Sequence, residues 1–165
     1  MQIALIETRK ANPADAEVLL AAHLDSIHSI GARFYSPEIV DSWSAGLTSD
    51  LYVNAMEGGE VFFIAIGPIN DEPAVLGFAS HRVDDEQDGA SVYVRGIAAR
   101  CGIGTKLLGL AEEHARAHGA KSISIQASLA GVAFYRANGF EELERGEALL
   151  TNGRSMHCVF MHKLL

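Results

Sequence analysis

Cysteine is nearly absent. Cys101 and Cys158 are the only two in 165 residues, and they carry neither a C-x-x-C nor any other metal-ligand spacing. That excludes a disulfide framework and a zinc site as readings, so both are taken as free thiols and no metal is expected. Proline is scarce too, with four residues, and no low-complexity or proline-rich stretch divides the chain. No uninterrupted apolar run nears the roughly 18 residues of a membrane span, and no charged segment leads into a short apolar run as in a secretory leader. The expectation is a soluble cytoplasmic protein without a membrane partner. A basic excess is also missing. Thirteen Lys and Arg against 21 Asp and Glu leave a net charge of -8. Such a chain repels polyanions, so nucleic acid is not an expected partner and a neutral or cationic small molecule is favoured.

What is present is a hydrophobic content of 48%, enough for one core, and residues 1–165 read as a single domain. "NPADAEVLLAAHLDSIHSIG" opens with Asn12 as N-cap and Pro13 at the first helical position, and sets Leu20, Leu24 and Ile27 on one face. His23 beside that stripe reads as a hydrogen-bonded core histidine. "SPEIVDSWSAGL" repeats the start signal and predicts a second short helix after a loop carrying Phe34 and Tyr35. Strand-like runs follow: "LYVNAME", "EVFFIAIG", "AVLGFASHRV" and "ASVYVRGIA", separated by Gly58-Gly59, "NDEP" and "EQDG". A helix over about 103–118, a strand over 122–128, a helix ending near Asn138-Gly139 and two strands turning at Asn152-Gly153 complete the reading. The fold class is α+β (mixed α/β), with a largely antiparallel sheet and one strand-helix-strand crossover.

"AARCGIGTKLL", residues 98–108, places two glycines at the mouth of a helix. Glycine lets a bulky group approach the backbone, and the first N–H groups of a helix lack internal partners, so this stretch suits an anion such as phosphate. A plain tight turn is the alternative. No Gly-Lys-Ser/Thr follows, and the third glycine of a dinucleotide fingerprint would fall on Leu107, so both nucleotide loops recede. A second motif, "SLAGVAFYRANGFEEL" (128–143), joins a helix containing Phe134-Tyr135 to a strand through Gly139-Phe140.

Together the two motifs resemble the GNAT superfamily of acyl-CoA-dependent N-acetyltransferases, with Q/R-x-x-G-x-G/A followed by A-x-x-F-Y-x-x-x-G-F; residues 92–140 carry the match, and "YSPEIVDSW" resembles a segment of one bacterial subgroup. Ala99 stands where Gln or Arg is usual, and Arg100 follows one position late. The resemblance implies a twisted sheet of about six to seven strands flanked by about four helices, its fourth and fifth strands splayed around the pantetheine of acetyl-CoA. It implies backbone donors from Cys101, Gly102, Ile103, Gly104, Thr105 and Lys106 to the phosphates, with the charge of Arg100 beside them. Val92 and Val94 would flank the pantetheine, with main-chain groups of Val94 and Gly96 bonded to its amides, and Ser128 and Phe134 would complete the site. Ser128 as N-cap of the following helix, and Arg100 as a surface residue, remain open.

The implied chemistry is direct attack of a primary amine of a small molecule or peptide on the thioester, with an oxyanion donor near the Val94 N–H and Tyr135 as general acid to the thiolate. The position of the family's base falls on Asp88, where Asp88-Gly89 also reads as a turn; His81, Glu86, His28 or a water relay are rivals. His28, Tyr35, Trp43 and His81 are candidates for the acceptor mouth. Cys101 reads as an accidental small residue, and Glu112, Glu113 and Arg116 as a solvated helix face. An acyl-CoA-binding sensor without turnover, and a scaffold that kept only the fold, are the alternatives to an enzyme; a homodimer is left open.

Overall fold

The computed structural model describes residues 5–165. Strand β1 (Glu7–Lys10) leads into a short 3-10 turn at Pro13–Asp15, capped by the Asn12 side chain, and helix α1 (Ala16–Ser29) starts one residue later. The buried face of α1 is Leu19, Ala22, His23, Ser26 and Ile27, with Leu20 and Leu24 half-buried at its flank. Helix α2 (Pro37–Ala45) begins as its Ser-Pro-Glu signal predicts, with the Ser36 hydroxyl accepting from the Ile39 N–H.

"LYVNAME" is a helix, not a strand. It forms α3 (Ser49–Glu57), whose Tyr52 is buried and whose Val53, Ala55 and Met56 pack beside it against α1. A run of nine residues of mixed polarity supports either period, and packing on α1 selects the helical one. The strand missing from the sequence reading is β1, four mostly exposed polar residues that pair with β2 (Val61–Ile69).

β2, β3 (Glu72–Asp84) and β4 (Gln87–Val94) form an antiparallel meander joined by two two-residue turns. Asn70-Asp71 and Asp85-Glu86 all have positive φ, from 47° to 65°, the left-handed pairs that match strand twist in tight hairpins. The β3–β4 turn therefore lies at Asp85-Glu86, and Asp88 belongs to the strand opposite Val83. Helix α4 (Ile103–Ala117) crosses over to β5 (Ser122–Ser128), helix α5 (Val132–Ala137) follows, and the hairpin of β6 (Glu141–Leu149) and β7 (Ser155–Leu164) turns through Gly153 at φ 84°.

The seven strands order as β1-β2-β3-β4-β5-β7-β6. Among the described residues the junction of β4 and β5 is the one parallel contact, and it is held by a single pair, Gly89 opposite Ser124. Beyond that pair the strands part. α4 covers one side of the sheet with fully buried Leu107 and Leu108, while α1 and α3 cover the other over Phe62, Ile64 and Phe78. Glu112 is buried rather than solvated: it accepts from Lys163 of β7 at 2.8 Å and faces Arg116 at 3.6 Å. Burial of a carboxylate is tolerated because both cations compensate it.

Candidate active site

Where β4 and β5 separate, a cavity of about 670 Å³ opens. Its floor is the backbone of 90–94 and 125–128, one end is the Ala99–Thr105 turn, and the far wall includes Ser26, Ile30, Phe34 and Trp43 from α1, α2 and the segment between. The glycine turn is shaped as the sequence predicts. Arg100 and Gly102 take positive φ, 61° and 80°, which turns the chain sharply into α4. The Lys106 N–H already donates to the Gly102 carbonyl at 3.1 Å, so the amides left without helical partners are those up to Thr105. Gly104 has an additional reason: a Cβ there would stand 3.0 Å from the Phe134 ring. Its bareness lets α5 close on the first turn of α4, and Phe134 lines the cavity beside it.

Backbone alternation sets the polarity of the seam. The Arg95 N–H donates across to Leu76 of β3, whereas the Val92 N–H points the other way and donates to the Tyr135 hydroxyl at 3.2 Å. Val94 has the same parity as Val92, so its main-chain groups also face the opening. Tyr135 is buried at the seam, and burial raises its pKa well above the usual phenol value, keeping it protonated at neutral pH. Its oxygen accepts from Val92 while its proton has no acceptor among the described residues.

Val92, Val94, Arg100, Gly102, Gly104, Thr105, Ser128, Phe134, Tyr135 and Trp43 all line the cavity. Gly96 lines the cavity as well, but past the end of β4, and its N–H is taken by Asp25 at 2.8 Å rather than left for a ligand. Ser128 closes β5 and is not a helix cap, since α5 starts at Val132 after Gly131. Other expected residues do not line it. Ile103 opens α4 with its side chain buried, Cys101 turns its thiol to the Ala99 carbonyl, and Lys106 reaches the Ile6 carbonyl. His28 is exposed on the outer side of α1. Tyr35 stands outside the lining but fixes it: its hydroxyl donates to the His157 carbonyl at 2.6 Å and accepts from the Leu129 N–H at 2.8 Å. This ties the Gly31–Ser36 segment to both β7 and the β5–α5 junction.

Asp88 and His81 come together, but away from the cavity. His81 Nε2 lies 2.6 Å from Asp88 Oδ1, and its Nδ1 lies 2.8 Å from His114 Nδ1 on α4. His114 is also stacked on His118, and burial together with the charges of His118, His81 and Lys10 lowers its pKa. The even-numbered residues of β4 face α4 at this end of the strand, so shared parity with Val92 carries Asp88 under the helix instead of into the opening.

On the opposite side of the sheet, sequence reasoning missed an aromatic group. His23 stacks on Tyr93 with ring centres 3.7 Å apart, and His23 Nδ1 meets the Tyr52 hydroxyl at 2.8 Å. Burial pushes the His23 pKa down to about 3 and that of Tyr93 up to about 12. The expected core histidine is therefore neutral, and it backs a tyrosine that lines the cavity. The period of "SVYV" put Tyr93 off the face considered for the donor, which hid it.

The family model for the GNAT acetyltransferases matches residues 24–140. The chain belongs to this family of acyltransferase enzymes. A GCN5-related N-acetyltransferase (aminotransferase, class-II) from Rhodopseudomonas palustris superposes with a TM-score of 0.83 at 27% identity, covering 100% of this chain and 99% of its own. PaiA N-acetyltransferase from Thermoplasma acidophilum, in complex with coenzyme A, has a TM-score of 0.74 at 20% identity and covers 97% and 99%. YncA from Salmonella typhimurium, with its cofactor acetyl-CoA, has 0.69 at 20% identity and covers 97% and 94%. No curated protein matches the sequence.

Proposed function

We propose that the chain is an acetyl-CoA-dependent N-acetyltransferase, one domain that transfers acetyl to a primary amine by direct attack within a ternary complex. The observation that carries this reading is the seam: one β4–β5 pair, then an opening that runs from the unpaired backbone of β4 to the free N–H groups at the start of α4. A sheet that stops pairing in its middle leaves main-chain donors and acceptors that need a partner, and the pantetheine arm offers amides at strand-like spacing.

The residues divide the work. The amides of Gly102 to Thr105, with the positive end of the α4 dipole, receive the phosphates, and Arg100 at the same rim adds charge. Val92 and Val94 give main-chain bonds along the seam, with Ser128 and Phe134 as the facing wall. The Val94 N–H is the donor for the developing oxyanion. Tyr135, protonated and already within reach of β4, gives its proton to the departing thiolate, and the proton shed by the acylated nitrogen restores the phenol through solvent. Asp88 and His81 are left out of the proton path by their position under α4, and Trp43 and Tyr93 border the acceptor end.

A thiol-release assay over a panel of amines, with calorimetric titration of CoA, tests this. Turnover with primary amines and CoA binding are expected. Binding without turnover on any amine would favour a sensor, and absence of CoA binding would overturn the reading.

A further inference from the structure

Behind Tyr93, on the side of the sheet covered by α1 and α3, lies a second recess of about 210 Å³. Ser91 and Tyr93 line both it and the large cavity, so the two meet at β4. Its walls are largely apolar, with Leu47, Leu51 and Phe78 among them. Against these walls stands Glu60, the one acidic side chain lining either space among the described residues. Its Oε1 accepts from the fully buried Ser80 hydroxyl at 2.6 Å. Arg82 is 3.8 Å from the same oxygen, but its guanidinium is committed more closely to Asp84 at 2.9 Å and to the Ser91 hydroxyl at 3.0 Å. Glu60 Oε2 has no hydrogen-bond partner among the described residues.

A part-buried carboxylate with one oxygen satisfied, the other open to the recess and, among the described residues, no cation nearer than Arg82 at 3.8 Å is a ready partner for a positively charged nitrogen. The Ser80 hydroxyl holds Oε1 in place and leaves the other carboxylate oxygen to meet a ligand. We propose that this recess holds a second, positively charged nitrogen of the acceptor, so that the substrate class is a diamine: one nitrogen sits on Glu60 while the other, uncharged when it reacts, is presented past Ser91 and Tyr93 to the seam. This rests on the acetyl-transfer reading and adds to it a choice of substrate. The net charge of -8 draws such a dication toward the protein before contact.

The test compares 1,5-diaminopentane with 1-aminopentane, which share the chain length and differ in the second nitrogen. Calorimetric titration of each into the protein, with and without CoA, should show the diamine binding about tenfold or more tightly, the scale of a hydrogen bond to a charged group. Glu60→Gln should bring the two affinities within about threefold, and in turnover should raise KM for the diamine more than it lowers kcat. Equal affinities in the wild type, or a preference retained in Glu60→Gln, would overturn the proposal. Circular dichroism checks folding; if the glutamine variant is unfolded, Glu60→Asp decides, since it keeps the charge but withdraws it by one methylene. A reduced but surviving diamine preference supports the counter-ion, and an undiminished one sinks it. If the diamine preference holds in binding but no amine is acetylated, the acetyl-transfer reading has failed and the recess assignment stands.

Discussion

The two ends of the large cavity are made of different material. The end at Ala99–Thr105 is main chain: positive φ at Arg100 and Gly102 and unpartnered amides at the head of α4. The other end is side chain, with Ser26, Phe34, Trp43 and Tyr93 brought together from α1, α2, the segment between them and β4. A site of backbone needs only a contiguous stretch with the right glycines, and so tolerates the displaced Arg100. A site of side chains depends on how three separate elements pack. The first end suits a ligand common to a family, and the second sets what is particular to one member.

Four measurements would break or sharpen this contrast. The largest effect is expected at Tyr135, where the two ends meet. Tyr135→Phe removes the proton donor but keeps the ring, so kcat should fall about 100-fold or more while CoA affinity stays within a few-fold. Unchanged turnover would reduce Tyr135 to packing between Phe134 and Phe140. Next comes the backbone end. Gly104→Val drives a branched side chain into Phe134, which stands 3.0 Å from the nearest point of a Cβ. Overpacking of about 1–3 kcal/mol should weaken CoA binding by about 10- to 100-fold in calorimetry. Unchanged affinity would show that the α4 amides do not hold the phosphates.

A third measurement addresses the aromatic backing of the acceptor end. His23 is neutral in the fold with its pKa near 3, whereas the unfolded chain takes up the proton at about 6.5. Its contribution is therefore complete above about pH 6.5 and is lost as pH falls toward 3, with a slope of up to about 1.4 kcal/mol per pH unit. Urea unfolding at pH 6.5 and pH 5 should differ by about 2 kcal/mol more in the wild type than in His23→Phe. Equal pH dependence in the two proteins would mean that His23 is charged, or solvated, in the native state. The smallest effect is at Tyr35. Tyr35→Phe frees the His157 carbonyl and the Leu129 N–H at a half-exposed position, for about 1 kcal/mol of stability. If the segment forms the acceptor wall, KM for the amine should rise while CoA affinity holds; a matching loss of CoA affinity would show that the two ends are not separable.

The same division explains what the sequence disclosed. The glycine turn, the crossover helix and the "FYRANGF" helix were readable because each is a local pattern with one backbone solution. Asp88 was misplaced because a position carried over from a family fixes where along β4 a residue lies, not which helix lies over it. α3 was misread because Leu51, Val53 and Ala55 alternate as a strand would, while the packing of Tyr52 on α1 was invisible. Glu60 passed unnoticed as the first residue of the strand-like run "EVFFIAIG", next to the Gly58-Gly59 turn. Its neighbours in space, Ser80 and Ser91, lie 20 and 31 positions away along the chain. Glu112 looked solvated for a like reason, its partner Lys163 lying near the end of the sequence.

The single rung between β4 and β5 bears on handling as much as on chemistry. Most sheets keep their unpaired edges at the outside and blunt them with charge, as β6 does here with Glu141, Glu142, Glu144 and Glu147. This sheet carries two further edges in its own middle, and β4 lines that gap with valine and tyrosine. Purified without a ligand, the protein would offer those inner edges to any extended segment of another molecule, and slow clumping on storage would begin there. Adding CoA to the buffer should therefore lengthen shelf life beyond what its effect on melting temperature explains, because it closes the template for the first misplaced strand.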